Sequence, residues 1–235
     1  MKNIKIGTVI LGEIPRVVAI VDEYLDMHHI KDLATAGADI LEIRMDLLGN
    51  DIPSLCVFID KIKKTTNFPC IATLRETPSN KDIRLDIFKA IMPFVDAVDI
   101  EIDASINREI IAMARGKTII VSEHDFEKMP DLSHLEKIAS KANSLGATII
   151  KIAAMAHNRQ DVVRLMEFTA AKRNNLVTIA MGNYGAISRV LAPVFGSLFT
   201  YGFVKKSVAP GQLSLHKLVE ELRLYYPGFN SKFRN

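Results

Sequence analysis

The feature that most constrains this chain is an alternation. Short runs rich in β-branched residues take turns with longer, helix-patterned runs, eight times over. Strand-like runs cover 16–21, 39–46, 69–75, 96–103, 117–125, 147–155, 176–182 and 198–204. The helix-patterned stretches between them run from Met27 to Ala36, from Ser54 to Lys64, and over 81–92, 106–116, 131–146 and 158–174. A seventh carries Ser188 and Arg189, and an eighth covers 212–226. Gly146 reads as a stop just past its helix. Such an order dictates a parallel sheet with right-handed crossovers. Eight units in 235 residues predict an α/β fold of one domain over 1–235, a closed (β/α)8 TIM barrel rather than an open doubly wound sheet. A Gly-x-Gly-x-x-Gly after the first strand and a Walker loop are both missing, which argues against a dinucleotide or P-loop fold.

Strands of a parallel barrel are covered on both faces and are expected to be almost wholly apolar. Several here carry charge near their C-terminal ends, where barrel enzymes place their chemistry. Strand alternation puts Glu42, Arg44 and Asp46 on one face. It likewise groups Thr73 with Arg75, Asp99 with Glu101 and Asp103, and Ser122 with His124. Lys151 stands in the middle of the apolar run "TIIKIAAMA". Each of these has a structural reading: an ion network, supporting carboxylates, a hydrogen-bonded core histidine, a paired lysine. Convergence weighs against it. In a closed barrel Glu42, Arg44, Arg75, His124 and Lys151 point into one mouth, and burying five such groups to no purpose costs stability. The other histidines carry less. His28, His29, His134 and His216 read as surface residues, and His157, which follows the sixth strand, is not counted among the site residues.

A lysine among apolar neighbours has its charged form disfavoured, and a neutral amine attacks ketones and aldehydes to form a Schiff base. A histidine nearby can remove the adjacent proton and return one to a leaving hydroxyl. Arginines in the same mouth suit a carboxylate. The set predicts a β-elimination or aldol-type reaction on a small anionic carbonyl compound. Other classes fit poorly. With a net charge of +3 and no basic tail, nucleic acid is not an expected partner. Cys56 and Cys70, without metal-type spacing, read as reduced residues of a cytoplasmic protein. No histidine–carboxylate set has metal spacing, so neither metal nor cofactor is expected. The N-terminal apolar run is too short for a signal peptide, and no run approaches membrane-span length.

These residues lie in six motifs: "LEIRMDLL", "IATLRE", "VSEHDF", "IIKIAAM", "MGNYGAISR" and "VAPGQ". In this order, over nearly the whole chain, they resemble the type I 3-dehydroquinate dehydratase family. The resemblance implies dehydration of 3-dehydroquinate to 3-dehydroshikimate in the shikimate pathway of aromatic amino acid biosynthesis. It implies Lys151 as the Schiff-base lysine and His124 as general acid and base. Glu42, Arg44 and Arg75 would hold the ring hydroxyls, Arg189 the carboxylate, and Gln212 a loop that closes over the substrate. Asp46 would orient Arg44, with Glu101 and Ser207 as further supports. A cytoplasmic homodimer is the implied assembly.

The chain departs from the family pattern in three places. Val208 stands where many members have serine, and the first strand lacks a serine. Ser79 stands where some members have a carboxylate that helps position the histidine; Glu76 is nearer but faces away if alternation continues. Two rivals remain. A barrel aldolase shares the buried lysine but usually binds phosphate at glycine-rich loops after strands seven and eight. A non-catalytic metabolite-binding barrel has no need of an imine-forming lysine.

Overall fold

The computed structural model describes residues 4–172 and 175–230. Eight parallel strands form its centre: β1 (Arg16–Val21), β2 (Ile40–Arg44), β3 (Cys70–Thr73), β4 (Ala97–Glu101), β5 (Thr118–Asp125), β6 (Ile149–Met155), β7 (Leu176–Met181) and β8 (Phe199–Phe203). They are hydrogen-bonded in the order β8-β1-β2-β3-β4-β5-β6-β7, every neighbour parallel. The seam between β7 and β8 is held by the Leu198 N–H donating to the Leu176 carbonyl at 2.8 Å, and by the Thr178 N–H donating to Ser197 Oγ at 3.2 Å. The expected (β/α)8 barrel is therefore the fold, and all eight strand runs form strands.

The connecting helices are α1 (Met27–Thr35), α2 (Ile52–Thr65), α3 (Arg84–Ile91), α4 (Asn107–Met113), α5 (Leu132–Ser144), α6 (Arg159–Lys172), the single turn α7 (Ser188–Leu191) and α8 (Leu215–Tyr225). Their starts follow from local chemistry. Asp26, Asp51, Asp131 and Ser214 each accept a hydrogen bond from a backbone N–H in the first turn, satisfying a donor that has no intrahelical partner. The last two residues of the expected 158–174 helix lie outside the described residues, as do both ends of the expected 1–235 domain.

Some boundaries differ from the alternation pattern. β2 stops at Arg44, and Met45–Leu48 turns into a short helix, so Asp46 is not on the strand face. β3 stops at Thr73, leaving Arg75 just beyond the strand. Asp103, expected on the face of Asp99, is exposed and pairs with Lys141 on α5. An antiparallel hairpin, Lys5–Ile6 with Val9–Ile10, was not anticipated. A short segment, Leu213–Ser214, also adds to the outer edge of β8.

The interior is built in storeys. Val18, Ile40, Ile71, Ala97, Ile120, Ile149, Val177 and Phe199, one from each strand, form an apolar cluster inside the barrel. Ile6 and Leu11, from the hairpin and just after it, join this cluster. Alternation places the next inward residue of each strand two positions on. These are Ile20, Glu42, Thr73, Asp99, Ser122, Lys151, Ile179 and Tyr201. Outward-facing residues such as Leu41, Ile43, Ile100 and Ile152 pack against the helices in a second, larger cluster. The polar storey thus rests on a dry floor.

Arg84, in the first turn of α3, ties the helix layer to the mouth. Its guanidinium donates to the Leu74 carbonyl through Nε at 2.9 Å and Nη2 at 2.6 Å, and pairs with Glu101. It is 1% exposed, so removing it strands a buried carbonyl and a carboxylate. Arg84→Met is expected to destabilise the protein by about 3 kcal/mol, read from the urea midpoint.

Candidate active site

The barrel mouth holds a cavity of about 350 Å³. Glu42, Arg44, Arg75, His124, Lys151, Arg189 and Gln212 all line it, as does Glu101. Every site residue expected from the sequence except Asp46 and Ser207 therefore reaches one space.

Lys151 Nζ is the centre. It lies 2.8 Å from Asp99 Oδ2 and 3.3 Å from Glu42 Oε1, and 4.4 Å from the centroid of the Tyr201 ring. Its surroundings are carboxylate and aromatic, not the apolar sleeve that "TIIKIAAMA" suggests. The apolar neighbours Ile150 and Ile152 face the helices instead, because alternation turns them outward. Glu42 also accepts from Thr73 Oγ1 at 2.9 Å.

Asp99 is the residue that sequence reasoning underweighted. It was grouped with Glu101 and Asp103 as a supporting carboxylate, yet it touches the lysine directly. Its Oδ1 is 2.9 Å from Arg75 Nη2 and accepts from Ser122 Oγ at 2.6 Å. Burial alone would raise the Asp99 carboxyl, but Arg75 and Lys151 outweigh it and hold the group well below the usual carboxylate range. The available signal was height along the strand. Asp99 stands two positions after the floor residue Ala97, as Lys151 does after Ile149.

Arg75, just past the end of β3, bridges β4 and β5. Its Nη1 donates to Ser122 Oγ at 3.0 Å and lies 3.5 Å from Glu101 Oε2. Burial opposes its charge, but Asp99, Glu101 and Glu42 hold the guanidinium firmly protonated. Arg44 is gripped by Asp46, Nε to Oδ1 at 3.0 Å and Nη2 to Oδ2 at 2.7 Å, a two-point pair that fixes its plane.

His124 lies near the end of β5, its ring stacked on Phe126 at 6.1 Å and 15°. Burial, then the charges of Arg75 and Lys151, push its pKa well below the ordinary histidine value, while Asp99 pulls it partly back. Asp99 is thus the carboxylate whose field acts on the histidine. Glu76 turns away, as alternation predicts, and lies 3.6 Å from Arg84 Nη1. Ser79 is exposed, its hydroxyl against that of Thr77.

The rim is closed by the loop after β8. Arg189 donates through Nε to the Gly211 carbonyl at 2.9 Å and through Nη2 to the Pro210 carbonyl at 3.2 Å. It is 2% exposed, and burial pulls its pKa down to about 10. Its hydrogen bonds are to neutral carbonyls, and no carboxylate pairs with it among the described residues. Gln212 Oε1 accepts from the Val208 N–H at 3.0 Å. Ser207 is exposed and donates to the Ala209 carbonyl at 2.7 Å, so it supports the loop rather than the cavity. At Gly211, φ is +69°, and an added Cβ would run into the Gly182 carbonyl oxygen.

A parallel barrel whose mouth sets a lysine against two carboxylates, beside a histidine and a buried arginine, defines the class of barrel lyases. A family model described as type I 3-dehydroquinase matches residues 17–228. The chain is 38% identical to the 3-dehydroquinate dehydratase of Methanococcoides burtonii over 232 residues, covering 94% of this chain and 99% of that one. It is 37% identical to the enzyme of the same name from Methanocella arvoryzae, covering 89% and 96%. The crystal structure of the type I enzyme from Clostridium difficile, with covalently modified comenic acid, superposes with a TM-score of 0.84 at 27% identity, over 94% and 96% of the two chains. The chain belongs to the type I 3-dehydroquinase family. Its reaction is the dehydration of 3-dehydroquinate through a Schiff base, a hydro-lyase step of the shikimate pathway towards aromatic amino acids.

Two outcomes follow from this geometry. Because the pKa of His124 is lowered, the histidine stays neutral as pH falls through 6.5, and the acidic limb of kcat/KM attributable to it is expected below that value. Gly211→Ala should push the loop off Gly182 and raise KM by about tenfold with little change in Tm.

Proposed function

We propose that Lys151 and His124 carry the family's dehydration, with Arg189 as the carboxylate anchor. The observation that carries this reading is the arrangement around Lys151. Its amine is held by Asp99 and Glu42, and both carboxylates are themselves fixed, by Arg75 and Ser122 and by Thr73. The iminium that replaces the ammonium is also a cation at the same point. The carboxylates therefore meet it without reorganising, which is the condition for electrostatic catalysis.

The ammonium of Lys151 gives up one proton, the free amine attacks the C3 ketone, and the proton returned to the carbinol oxygen lets it leave as water to give the iminium. Neutral His124 removes a proton from C2, and the electron pair moves into the C2–C3 bond, forming an enamine. The enamine expels the C1 hydroxyl as His124 returns the proton, so water departs and a conjugated iminium remains. A second water hydrolyses it, releasing 3-dehydroshikimate and restoring the ammonium. One molecule of water is lost overall. Desolvation of His124 suits the first proton transfer, since it keeps the base neutral. Arg189, buried with neutral partners, is an anion site in waiting. Glu42, Arg44 and Arg75 are assigned to the ring hydroxyls, and Gln212 to loop closure. Val208 lines the cavity without a hydroxyl to offer, so the closing loop holds the substrate through its backbone and Gln212.

Assembly as a homodimer belongs to the same proposal. It is supported by exposed apolar side chains, among them Val57 at 67% and Leu224 at 71%. A cytoplasmic location is proposed too, supported by Cys56 and Cys70 being unpaired, the Cys70 thiol pushed up to about 12 by burial.

The test is direct. Mixed with 3-dehydroquinate, the protein should give a rising ultraviolet absorbance from the conjugated enone; no rise at high enzyme concentration sinks the reading. Borohydride should trap an adduct whose mass maps to Lys151, and Lys151→Ala should trap none. His124→Ala is expected to lower kcat by about 10²- to 10⁴-fold. Arg189→Met should raise KM by about 10- to 100-fold, the range of a hydrogen bond to a charged partner. For assembly, light scattering should report twice the chain mass of 26.2 kDa.

A further inference from the structure

Tyr201 has a place in the site that the mechanism does not use. It stands on β8 at the height of Lys151 on β6, two positions after the floor residue Phe199. Its ring faces Lys151 Nζ at 4.4 Å and meets Phe199 edge-on at 5.5 Å and 72°. The residue is 2% exposed and lines the cavity. Its hydroxyl is the one fully buried side-chain polar atom without a hydrogen-bond partner among the described residues. Glu42 and Asp99 are near enough for their charges, after burial itself, to hold the phenol well above its ordinary pKa, so it is a donor at all working pH values. Glu42 comes near enough to act on the phenol proton, but the geometry falls short of a hydrogen bond, so the hydroxyl is left without a partner.

A buried hydroxyl with no partner is costly, and such groups are rare in folded proteins unless a function retains them. Phenylalanine would fill the same space, keep the aromatic face beneath Lys151, and leave nothing unsatisfied. The hydroxyl therefore needs a partner that arrives with the ligand. With the Tyr201 ring centroid 4.4 Å from Lys151 Nζ, the hydroxyl is close to whatever flanks the carbon bonded to that nitrogen. In 3-dehydroquinate that carbon is C3, and its neighbour C4 carries a hydroxyl.

We propose that the Tyr201 hydroxyl is a substrate-binding group that donates a hydrogen bond to the C4 hydroxyl of the bound substrate, next to the imine carbon. This rests on the dehydratase reading above. It makes Tyr201 a specificity determinant: the site recognises a ketone flanked by a hydroxyl-bearing carbon and disfavours a ring that lacks that oxygen. A site built to pair a substrate hydroxyl discriminates strongly, because the analogue without it leaves a buried group unpaired.

The test compares Tyr201→Phe with the unaltered protein in three measurements. With 3-dehydroquinate, Tyr201→Phe should raise KM about tenfold while kcat stays within about threefold, the pattern of lost uniform binding. With the 4-deoxy analogue, the unaltered protein should show a penalty in kcat/KM relative to 3-dehydroquinate, and Tyr201→Phe should shrink that penalty about tenfold. In thermal unfolding of the free protein, Tyr201→Phe should melt no lower than the parent, because it removes an unsatisfied group. An unchanged KM overturns the proposal, and so does an undiminished penalty against the 4-deoxy compound. A lowered Tm with unchanged KM overturns it in favour of a structural role. If the unaltered protein itself fails to dehydrate 3-dehydroquinate, the parent reading falls and takes this one with it. An active parent with an indifferent Tyr201→Phe removes this one alone.

Discussion

The chain of charge from Arg75 through Asp99 to Lys151 is the interaction on which the rest of the site depends. It crosses the barrel interior from the end of β3 to β4 and on to β6, at 2.9 Å and 2.8 Å. Asp99 is fully buried, and a carboxylate there without two cations beside it would be neutral or would unfold the barrel. Lys151 likewise cannot stay inside without its carboxylates. Each member makes the burial of the others affordable. Glu101 and Arg84 extend the chain outward, so that a helix on the barrel's exterior helps hold a charge near its axis.

That chain also accounts for the electrostatics of the mouth. The same arginine and lysine that stabilise Asp99 repel a proton from His124, after burial has already disfavoured one. A single constellation therefore keeps one group ionised and its neighbour neutral. A neutral imidazole is the form able to accept a proton as a general base. Arg189 stands apart from this network, on the loop side, with only backbone carbonyls for company. The site is in this sense divided. A balanced cluster of charges sits at the bottom of the mouth, and one unbalanced cation sits at the rim.

Much of this was legible in the sequence. Eight β-branched runs became eight strands because a run of that kind, flanked by helix-patterned segments, has no competing way to satisfy its backbone. Lys151, His124, Glu42 and Arg44 were visible as charges interrupting apolar strands. The shortfalls have local causes. Asp46 lies on a helical turn that period-two counting cannot foresee, although its pairing with Arg44 survives the change of element. Asp103 lies beyond the end of β4 and faces solvent. Asp99 read as a supporting carboxylate and Tyr201 as an ordinary member of its strand, and the stagger between strands brings both to the nitrogen of Lys151.

By itself, then, the sequence determined the barrel, its floor, and which strands carry charge, since burial pattern and strand period are properties of each segment alone. The tertiary structure decided who meets whom. Lys151 changed from a lysine in an apolar run to a lysine between two carboxylates and an aromatic face, because its chain neighbours point away and residues 52 and 109 positions distant point inward. Charge interactions act through space and fall off over a few ångströms, and closure of the ring is what places those few ångströms.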